Sequence, residues 1–426
     1  MLTALLKASQ CQSHYHHRLV TLDVINPVAK QALIDSDIPF EQVEVDRFDQ
    51  LLEAIQSADI VLVHWWNHPL LNYLIMGVDW PECRLIFWSH VSGLHPPYVL
   101  AQKYFEFADR FVFTTPLSLQ ADYVKLFIDQ YRHKTEVVWS TGGTEHVWKA
   151  EPKAHQKFTV GYVGTVEYSK IHGDILDICE QLGDECEFVF CGGDGHLALA
   201  QACKDRGMDD FVTFYGVVDD ITPFLVQFDV FGYPLNPYHF GTCDQSLAEA
   251  MACGIPPVVL SNPMEQSIVS HQETGLVAKD VTEYVEYIRL LKSDAHLRGT
   301  LGAAAKRYAR TAFSLDETIS KWEAIFDRVV DQQKHRRVWP QNGDDRNGDK
   351  PPEDFAELFL ESIGPFKDTF LKYCQANECT DDALIQVFEQ NPLWRSPTRG
   401  SVNHYLHFFP SDLRLQQWSK RFSMSS

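Results

Sequence analysis

Residues 230 to 257 read VFGYPLNPYHFGTCDQSLAEAMACGIPP, and this stretch decides the fold class. The run Val230 to Tyr233 is typical of a buried strand, and a polar loop follows it. From Thr242 or Asp244 onward the pattern predicts a helix, which Gly254 ends. A strand followed by a loop and a helix is half of a βαβ unit. The stretch therefore predicts a parallel sheet covered by helices.

The same alternation continues on both sides of this stretch. Short apolar runs separated by amphipathic segments form one series before residue 143 and a second series after residue 157. Because parallel strands need helical crossovers, the two series predict two doubly wound, Rossmann-like α/β domains. The predicted strands are 18–23, 42–46, 59–66, 84–90, 110–115 and 136–139 in the first series, and 158–163, 187–191, 211–215, 230–233, 256–260 and 275–277 in the second.

Composition divides the chain into four segments. Residues 1–148 form the first predicted domain, which opens with a helix where such domains open with a strand, so its first strand is expected to be absent or supplied by another segment. Residues 149–335 form the second domain, and the polar, Gly- and Pro-rich residues 336–352 form a linker. Residues 353–426 are predicted to be a mainly helical appendage, in which 402–409 form a strand or a packed aromatic tail.

Composition and charge exclude several classes of protein. The 426 residues are 45% hydrophobic and 12% aromatic, which excludes a disordered or fibrous chain. The net charge of −21 repels nucleic acid and anionic membranes. Residues 1–13 lack the apolar core and the small-residue cleavage site expected of a signal peptide, and no run of about 18 apolar residues is present in the sequence. Its ten cysteines lie mostly in apolar runs. They predict free thiols in a reducing cytoplasm, without a structural metal.

The loop and helix after Val230 to Tyr233 carry the chemistry. Ligands of open α/β sheets bind at the carboxyl ends of the strands. A helix that begins near Thr242 or Asp244 presents backbone N–H groups and hydroxyls to an anion. Glu249, about one and a half turns further along, is positioned to accept hydrogen bonds from sugar hydroxyls. These features predict that the helix N-terminus binds an anion and that Glu249 binds sugar hydroxyls.

The residues EAMACGIP at 249–256 resemble a motif of the GT-B glycosyltransferases, in particular of the large family four, also called glycosyl transferases group 1. The resemblance is strong over 158–277 and extends only by pattern over the rest of 18–330. It implies two Rossmann-like domains that face each other across a cleft. The other matching pieces are 160–164, 189–195, 212–218, Glu265 and 274–277.

The resemblance implies that the second domain holds a nucleotide sugar. In the family, a basic pair five residues apart neutralises the diphosphate, and here those positions hold Thr165 and Lys170. Without the arginine, helix donors from Thr242 to Ser246 and the Thr165 hydroxyl are expected to bind more of the phosphate charge. A solvated surface lysine is the alternative for Lys170. The implied donor-binding residues are Gly164, Thr165, Lys170, Gly216, Val217, Thr242, Gln245, Ser246 and Glu249.

Two catalytic positions are also implied by the resemblance. The family's E-x7-E motif has its first acid eight residues before Glu249, where this chain has Gly241. Asp244 either replaces that acid from a lengthened loop or is a helix cap, and His239 is a third candidate. His90, which follows the strand 84–90, matches a histidine that faces the sugar.

Other aromatic and histidine residues of the first domain admit two interpretations. The pair Trp65 and Trp66 either stacks on an acceptor sugar or packs in the core. For His64, His68 and His95, helix capping or core packing is the alternative to a functional role.

The favoured hypothesis is a cytoplasmic, metal-independent glycosyltransferase without a cofactor. It would transfer a sugar from a UDP or GDP donor to a saccharide or protein acceptor, with retention at the anomeric carbon. One alternative is a degenerate, non-catalytic binding or scaffold protein, favoured by the missing first strand, Thr165 and Gly241. The other is a nucleotide-sugar epimerase, which binds the donor and needs no acceptor.

Overall fold

The fold consists of two compact units, each built around a parallel sheet. The computed structural model describes residues 2–22, 24–44, 47–151, 153, 155–193, 195–239, 241–340, 354–375, 381–398 and 400–422. The central unit comprises residues 141–318. The flanking unit combines residues 2–140 with residues 319–426.

Strands and helices alternate along both units, as the sequence predicts. The strands are β1 (Leu19–Thr21), β2 (Phe40–Gln42), β3 (Val61–Trp65), β4 (Trp80–Cys83), β5 (Leu85–Ser89), β6 (Arg110–Phe113), β7 (Thr135–Val137), β8 (Thr159–Val163), β9 (Glu187–Cys191), β10 (Val212–Gly216), β11 (Val230–Tyr233), β12 (Pro257–Leu260), β13 (Leu276–Ala278) and β14 (His335–Arg337).

The helices cover most of the remaining described chain. They are α1 (Leu2–Gln12), α2 (Pro27–Asp35), α3 (Phe48–Ser57), α4 (Pro69–Gly77), α5 (Gln102–Phe107), α6 (Asp122–Lys125), α7 (Ile128–Tyr131), α8 (Ile175–Leu182), α9 (His196–Asp205), α10 (Thr222–Leu225), α11 (Gln245–Cys253), α12 (Pro263–Ile268), α13 (Val281–Ser293), α14 (Ala295–Ala312), α15 (Leu315–Val330), α16 (Phe355–Ser362), α17 (Lys367–Gln375), α18 (Asp382–Phe388), α19 (Val402–Phe408) and α20 (Leu413–Phe422).

The central unit contains a six-stranded sheet in the order β10-β9-β8-β11-β12-β13, with every neighbouring pair parallel. All residues of β11 and β12 are buried, because helices cover both faces of such a sheet. The helix α11 ends at Gly254, whose φ of 88° is in the left-handed region that glycine adopts without strain. All six predicted strands of this domain are confirmed to within about two residues.

The flanking unit has a four-stranded parallel sheet in the order β3-β5-β6-β7. The strands β1 and β2 pair only with each other in the described chain, as a separate parallel two-stranded sheet. The structure places β2 at Phe40–Gln42, ahead of the predicted 42–46, of which residues 45 and 46 lie outside the described chain. Strands β4 and β14, which were not predicted, pair antiparallel. Such short strands carry too few residues for periodicity to show, so only their pairing reveals them.

The predicted domain boundaries differ from the units. Residues 141–148 lie in the central unit, because the segment that follows Ser140 bonds to α11 there. Of the predicted linker 336–352, residues 341–352 lie outside the described residues. Its beginning is structured, with Arg337 in β14 paired to Asp109 and Trp339 buried.

The predicted appendage 353–426 is not a separate domain but part of the flanking unit. Its helices α16 and α19 pack on α4, and residues 402–408 form α19 rather than a strand. The Tyr405 hydroxyl lies 3.1 Å from Asn67 Oδ1 and accepts a 2.7 Å hydrogen bond from Asn72. The packing that the aromatic-tail alternative predicted is therefore confirmed, although these residues form a helix.

Two predictions made from the sequence, about membrane spans and about the cysteines, can be compared with the described residues. None of its helices combines the length and apolar character that a bilayer span requires. The cysteines that the structure describes are free thiols, and most are buried.

Candidate functional site

Three neighbouring strands of the central unit end in glycines whose backbones nearly touch. Gly164 follows β8, Gly192 follows β9 and Gly216 ends β10, with φ values of 155°, 149° and 68°. The Gly192 N–H donates to the Gly216 carbonyl at 2.7 Å. A Cβ on Gly192 would lie 1.6 Å from the Gly164 carbonyl oxygen. No side chain therefore fits at Gly192. It lies at the carboxyl edge of the sheet, where ligands of open α/β sheets bind.

Main-chain hydrogen bonds join the loop after β8 to the loop after β11. The Lys170 carbonyl accepts a 2.8 Å hydrogen bond from the Asn236 N–H, and the His172 N–H donates to the Pro234 carbonyl at 2.8 Å. The Lys170 ammonium therefore lies 5.4 Å above the ring of Tyr233, the last residue of β11. Main-chain bonds between two loops place this lysine, and sequence spacing alone could not show them.

Lys170 and Asp244 form a buried ion pair. The lysine Nζ donates to Asp244 Oδ1 at 3.0 Å, and the two side chains are 10% and 5% exposed. Burial by itself lowers the pKa of Lys170, but the Asp244 carboxylate outweighs it and raises that pKa above its usual value. The interpretation of Lys170 as a solvated surface lysine is wrong. The predicted contact with a diphosphate remains a prediction.

Asp244 occupies the N-cap position of α11, but its side chain makes no capping hydrogen bond. Its Oδ2 atom is buried and has no hydrogen-bond partner among the residues that the structure describes. Burial by itself raises the pKa of Asp244, but the Lys170 ammonium holds that pKa below its usual value. Of the two interpretations of Asp244, the structure therefore contradicts the simple cap.

A second buried acid, Glu265 at the start of α12, lies next to this pair. His239 Nε2 lies 3.2 Å from both Glu265 carboxylate oxygens, and His239 Nδ1 accepts the Gly241 N–H at 3.1 Å. The family resemblance includes Glu265 but assigns it no role. The sequence signal that could have identified this residue is an acid that follows the buried strand β12 within a few residues.

Gly241, which stands where the family has its first acid, borders the same carboxylates. A Cβ on Gly241 would lie 3.0 Å from Asp244 Oδ1. His239, Asp244 and Glu265 each bring a possible ligand atom within 4.8 Å of the others, a spacing that one metal ion could bridge. The Lys170 ammonium already supplies a positive charge at Asp244 and would repel a second cation.

Glu249, on the next turns of α11, is nearly buried and held by two side chains. Gln245 Nε2 donates to Glu249 Oε1 at 2.8 Å, and His146 Nε2 lies 3.3 Å from the same oxygen. Gln245 also bonds to the backbone of Gly142 and Gly143. The hydrogen bond with Glu249 raises the pKa of His146 above its usual value. His146 was missed by sequence reasoning, because only folding brings residues 142–146 against α11.

The other predicted donor-binding residues differ in exposure. Thr242 is buried, Thr165 and Ser246 are partly exposed, and the Val217 side chain is exposed. The Thr165 carbonyl accepts a 2.8 Å hydrogen bond from the Tyr162 hydroxyl. The binding roles assigned to these residues remain predictions.

The flanking unit contains the other predicted catalytic residue, His90, directly after β5. Its Nε2 lies 3.0 Å from Nδ1 of His64, which belongs to the neighbouring strand β3. His68 caps α4 by accepting the Leu70 N–H at 3.2 Å, which confirms the capping alternative for that residue. Trp65 has no exposed surface and packs in the core, so the interpretation that it stacks on a sugar is wrong.

Residues 145–308, which include Lys170, Asp244 and Glu249, match the family model described as Glycosyl transferases group 1. This match covers less than half of the chain. N-acetyl-alpha-D-glucosaminyl L-malate synthase of Bacillus anthracis is 25% identical to the chain over 150 residues, which are 34% of this chain and 39% of that enzyme. The chain therefore matches less than half the length of this curated relative.

The fold class of this chain is GT-B. The structure of HepE from Anabaena in complex with UDP and glucose superposes with a TM-score of 0.62 at 15% identity, covering 77% of this chain and 95% of that one. A glycosyltransferase from Rickettsia africae gives a TM-score of 0.62 at 12% identity, covering 77% and 94%. Sucrose-phosphate synthase from Thermosynechococcus elongatus gives 0.56 at 15%, covering 76% and 91%. Identities this low establish the fold alone.

Proposed function

We propose that the protein is a retaining glycosyltransferase that transfers a sugar from a nucleoside-diphosphate donor, UDP- or GDP-linked, to a saccharide or protein acceptor. The observation that carries the proposal is the Glu249 carboxylate, held by Gln245 and His146 within the group 1 segment. A carboxylate whose orientation is set in advance accepts hydrogen bonds from ribose hydroxyls at little entropic cost. The HepE complex with UDP and glucose supports a donor of this class.

The donor diphosphate binds at the amino end of α11 in this proposal. The first turn of that helix carries N–H groups and the positive end of the helix dipole. Because Asp244 makes no capping hydrogen bond there, its carboxylate does not compete with phosphate for these N–H groups. Gly164 and Gly192 keep the neighbouring strand ends free of side chains. These groups replace the bidentate arginine that Thr165 cannot supply.

The transferred sugar takes a hydrogen bond that the buried Asp244 carboxylate leaves unused. Asp244 Oδ2 is a buried carboxylate oxygen without a hydrogen-bond partner in the described part of the chain, whereas Glu265 Oε1 lies 3.2 Å from His239 Nε2. A buried oxygen without a partner is costly unless a donor reaches it, and sugar hydroxyls are donors of the right kind. Asp244 thus takes over the position of the family's first acid, which is Gly241 in this chain.

The reaction requires stabilisation of a diphosphate leaving group. We propose that Lys170 and the helix dipole of α11 supply that stabilisation without a metal ion. His90 is proposed to hydrogen-bond the sugar. The free, mostly buried cysteines support a reducing, cytoplasmic location.

A non-catalytic nucleotide-binding protein is the second candidate. The buried Lys170–Asp244 ion pair favours it, because the one basic residue retained from the family's pair already has a carboxylate partner. Both candidate functions use the same nucleotide site, but only the glycosyltransferase converts the donor to product.

A panel of UDP- and GDP-sugars, with and without added saccharide acceptors, tests the proposal. We expect release of UDP or GDP that depends on acceptor, and binding of the free nucleotide by calorimetry. Glu249→Gln should weaken nucleotide binding about tenfold or more, because a charge-assisted hydrogen bond is lost. The exposed Glu286→Gln in the same unit is the matched control.

Each outcome of this test separates the candidates. Nucleotide binding without release favours the non-catalytic protein. Product formed from the donor alone, without acceptor, indicates an epimerase. An absence of both binding and turnover across the panel contradicts the proposal.

A further inference from the structure

Two imidazole rings lie against each other at the carboxyl ends of adjacent strands in the flanking unit. His64 is on β3, and His90 follows β5, where β3 and β5 pair in register. Their ring centroids are 5.1 Å apart and the ring planes differ by 4°. His64 Nδ1 and His90 Nε2 are 3.0 Å apart, which is hydrogen-bond distance. The pair is therefore bonded through defined nitrogens.

This geometry requires one proton between the two nitrogens. If both atoms carried a proton they would repel, and if neither did no hydrogen bond would form. Burial holds the pKa of His90 well below its usual value, and burial lowers the pKa of His64 to about 4. Both rings are consequently neutral near neutral pH. The Trp88 ring packs against both of them and brings no charge.

Two arrangements of the shared proton are possible, and they give His90 opposite chemistry. With the proton on His64 Nδ1, both rings adopt the Nδ1–H tautomer. With the proton on His90 Nε2, both adopt the Nε2–H tautomer, which is intrinsically the more stable form of an isolated histidine side chain. The second arrangement is favoured, because each ring then keeps its preferred tautomer while the same hydrogen bond forms.

We propose that His64 is a positioning residue that accepts the Nε2–H of His90 and so leaves Nδ1 of His90 unprotonated, as the acceptor of a hydrogen bond from a substrate hydroxyl. The bond also fixes the orientation of the His90 ring. An unprotonated nitrogen can accept a hydroxyl proton in a hydrogen bond and can stabilise positive charge that develops on a sugar. The role of His90 toward substrate rests on the proposed function, whereas the tautomer does not.

Nuclear magnetic resonance of the full chain with isotope-labelled histidine tests the tautomer directly. We expect His90, identified by the loss of its signals in His90→Asn, to be neutral and protonated on Nε2 in the absence of any substrate. His64→Asn keeps a carbonyl oxygen near the position of Nδ1 and should preserve this tautomer. His64→Leu removes the acceptor, so only the intrinsic preference for Nε2–H remains and a minor Nδ1–H population should appear beside it. A wild-type His90 protonated on Nδ1, or a tautomer unchanged in His64→Leu, overturns the proposal.

The kinetic arm uses the same variants in the donor and acceptor assay. Loss of one orienting hydrogen bond should lower kcat about tenfold in His64→Leu, and His64→Asn should recover most of it. Thermal unfolding of both variants checks that the flanking unit is folded. If the tautomer is as expected but the wild type transfers no sugar, the proposed function fails while the positioning by His64 stands. Equal kcat in wild type and His64→Leu refutes the kinetic part.

Discussion

The Lys170 ammonium and the Asp244 carboxylate are bonded at 3.0 Å with almost no exposed side-chain surface. The family resemblance predicts that this lysine faces the phosphates of a donor, and in the structure it compensates a buried acid. An ion pair of this kind is more costly to break than to form, because one removed partner leaves an uncompensated buried charge. The pair therefore links the folding of the central unit to its proposed ligand.

Single substitutions of this pair should be strongly destabilising. Lys170→Met and Asp244→Asn should each cost about 3–5 kcal/mol, since each leaves the other group buried without its partner. The double variant should cost clearly less than the two single costs combined. Thermal unfolding followed by calorimetry measures all three proteins. Additive effects would mean that the two side chains are not coupled.

The contact between His146 and Glu249 should make stability depend on pH. The pKa of His146 is raised in the folded state, so the folded protein binds the proton more tightly than the unfolded chain does. The stabilisation is complete below the unfolded pKa of about 6.5 and is lost as pH rises through the raised folded pKa.

The Tm of the wild type minus that of His146→Gln measures this effect. The difference should be largest in mild acid and should shrink as pH increases. The exposed His296→Gln is the control for the loss of an imidazole elsewhere in the same unit. A difference that grows with pH would contradict the assignment.

Gly192, at the carboxyl edge of the central sheet, should tolerate no side chain. Gly192→Ala should destabilise the protein by about 3 kcal/mol or more, because its Cβ meets the Gly164 carbonyl oxygen and its φ is in the left-handed region. Gly173→Ala is the matched control, since a Cβ there meets nothing within 4 Å. Chemical denaturation compares the two. Similar stability of both variants would show that the strand ends separate readily.

The buried hydrogen bonds around Tyr405 should make the C-terminal helices essential to the flanking unit. Tyr405→Phe removes a hydroxyl that bonds Asn67 and Asn72 and should cost about 1–3 kcal/mol, because buried amide groups lose a partner. Tyr131→Phe, whose hydroxyl bonds Glu106 at the surface, should change stability by less than about 0.5 kcal/mol. Equal effects would indicate that α19 is peripheral.

Much of the fold could be predicted from local pattern. The strands of the central unit, the helix α11 and its end at Gly254 follow from apolar runs and from glycine's conformational freedom. The short pair β4 and β14 could not be predicted, because pairing between distant segments leaves no local periodicity. For the same reason the sequence predicts residues 353–426 as a separate appendage, although they share buried contacts with the rest of the flanking unit.

The features of the candidate site also separate into those that the sequence predicts and those that only the tertiary structure shows. The sequence by itself determined the group 1 motif, the glycine strand ends and Glu249 on α11, since these depend on residue type and short spacing. Only the tertiary structure decided that Lys170 is buried against Asp244, that Glu265 and His239 lie beside them, and that His64 bonds His90. Charge pairing and tautomer choice depend on which side chains meet across loops and strands. That information lies in three-dimensional packing and not in the order of neighbouring residues.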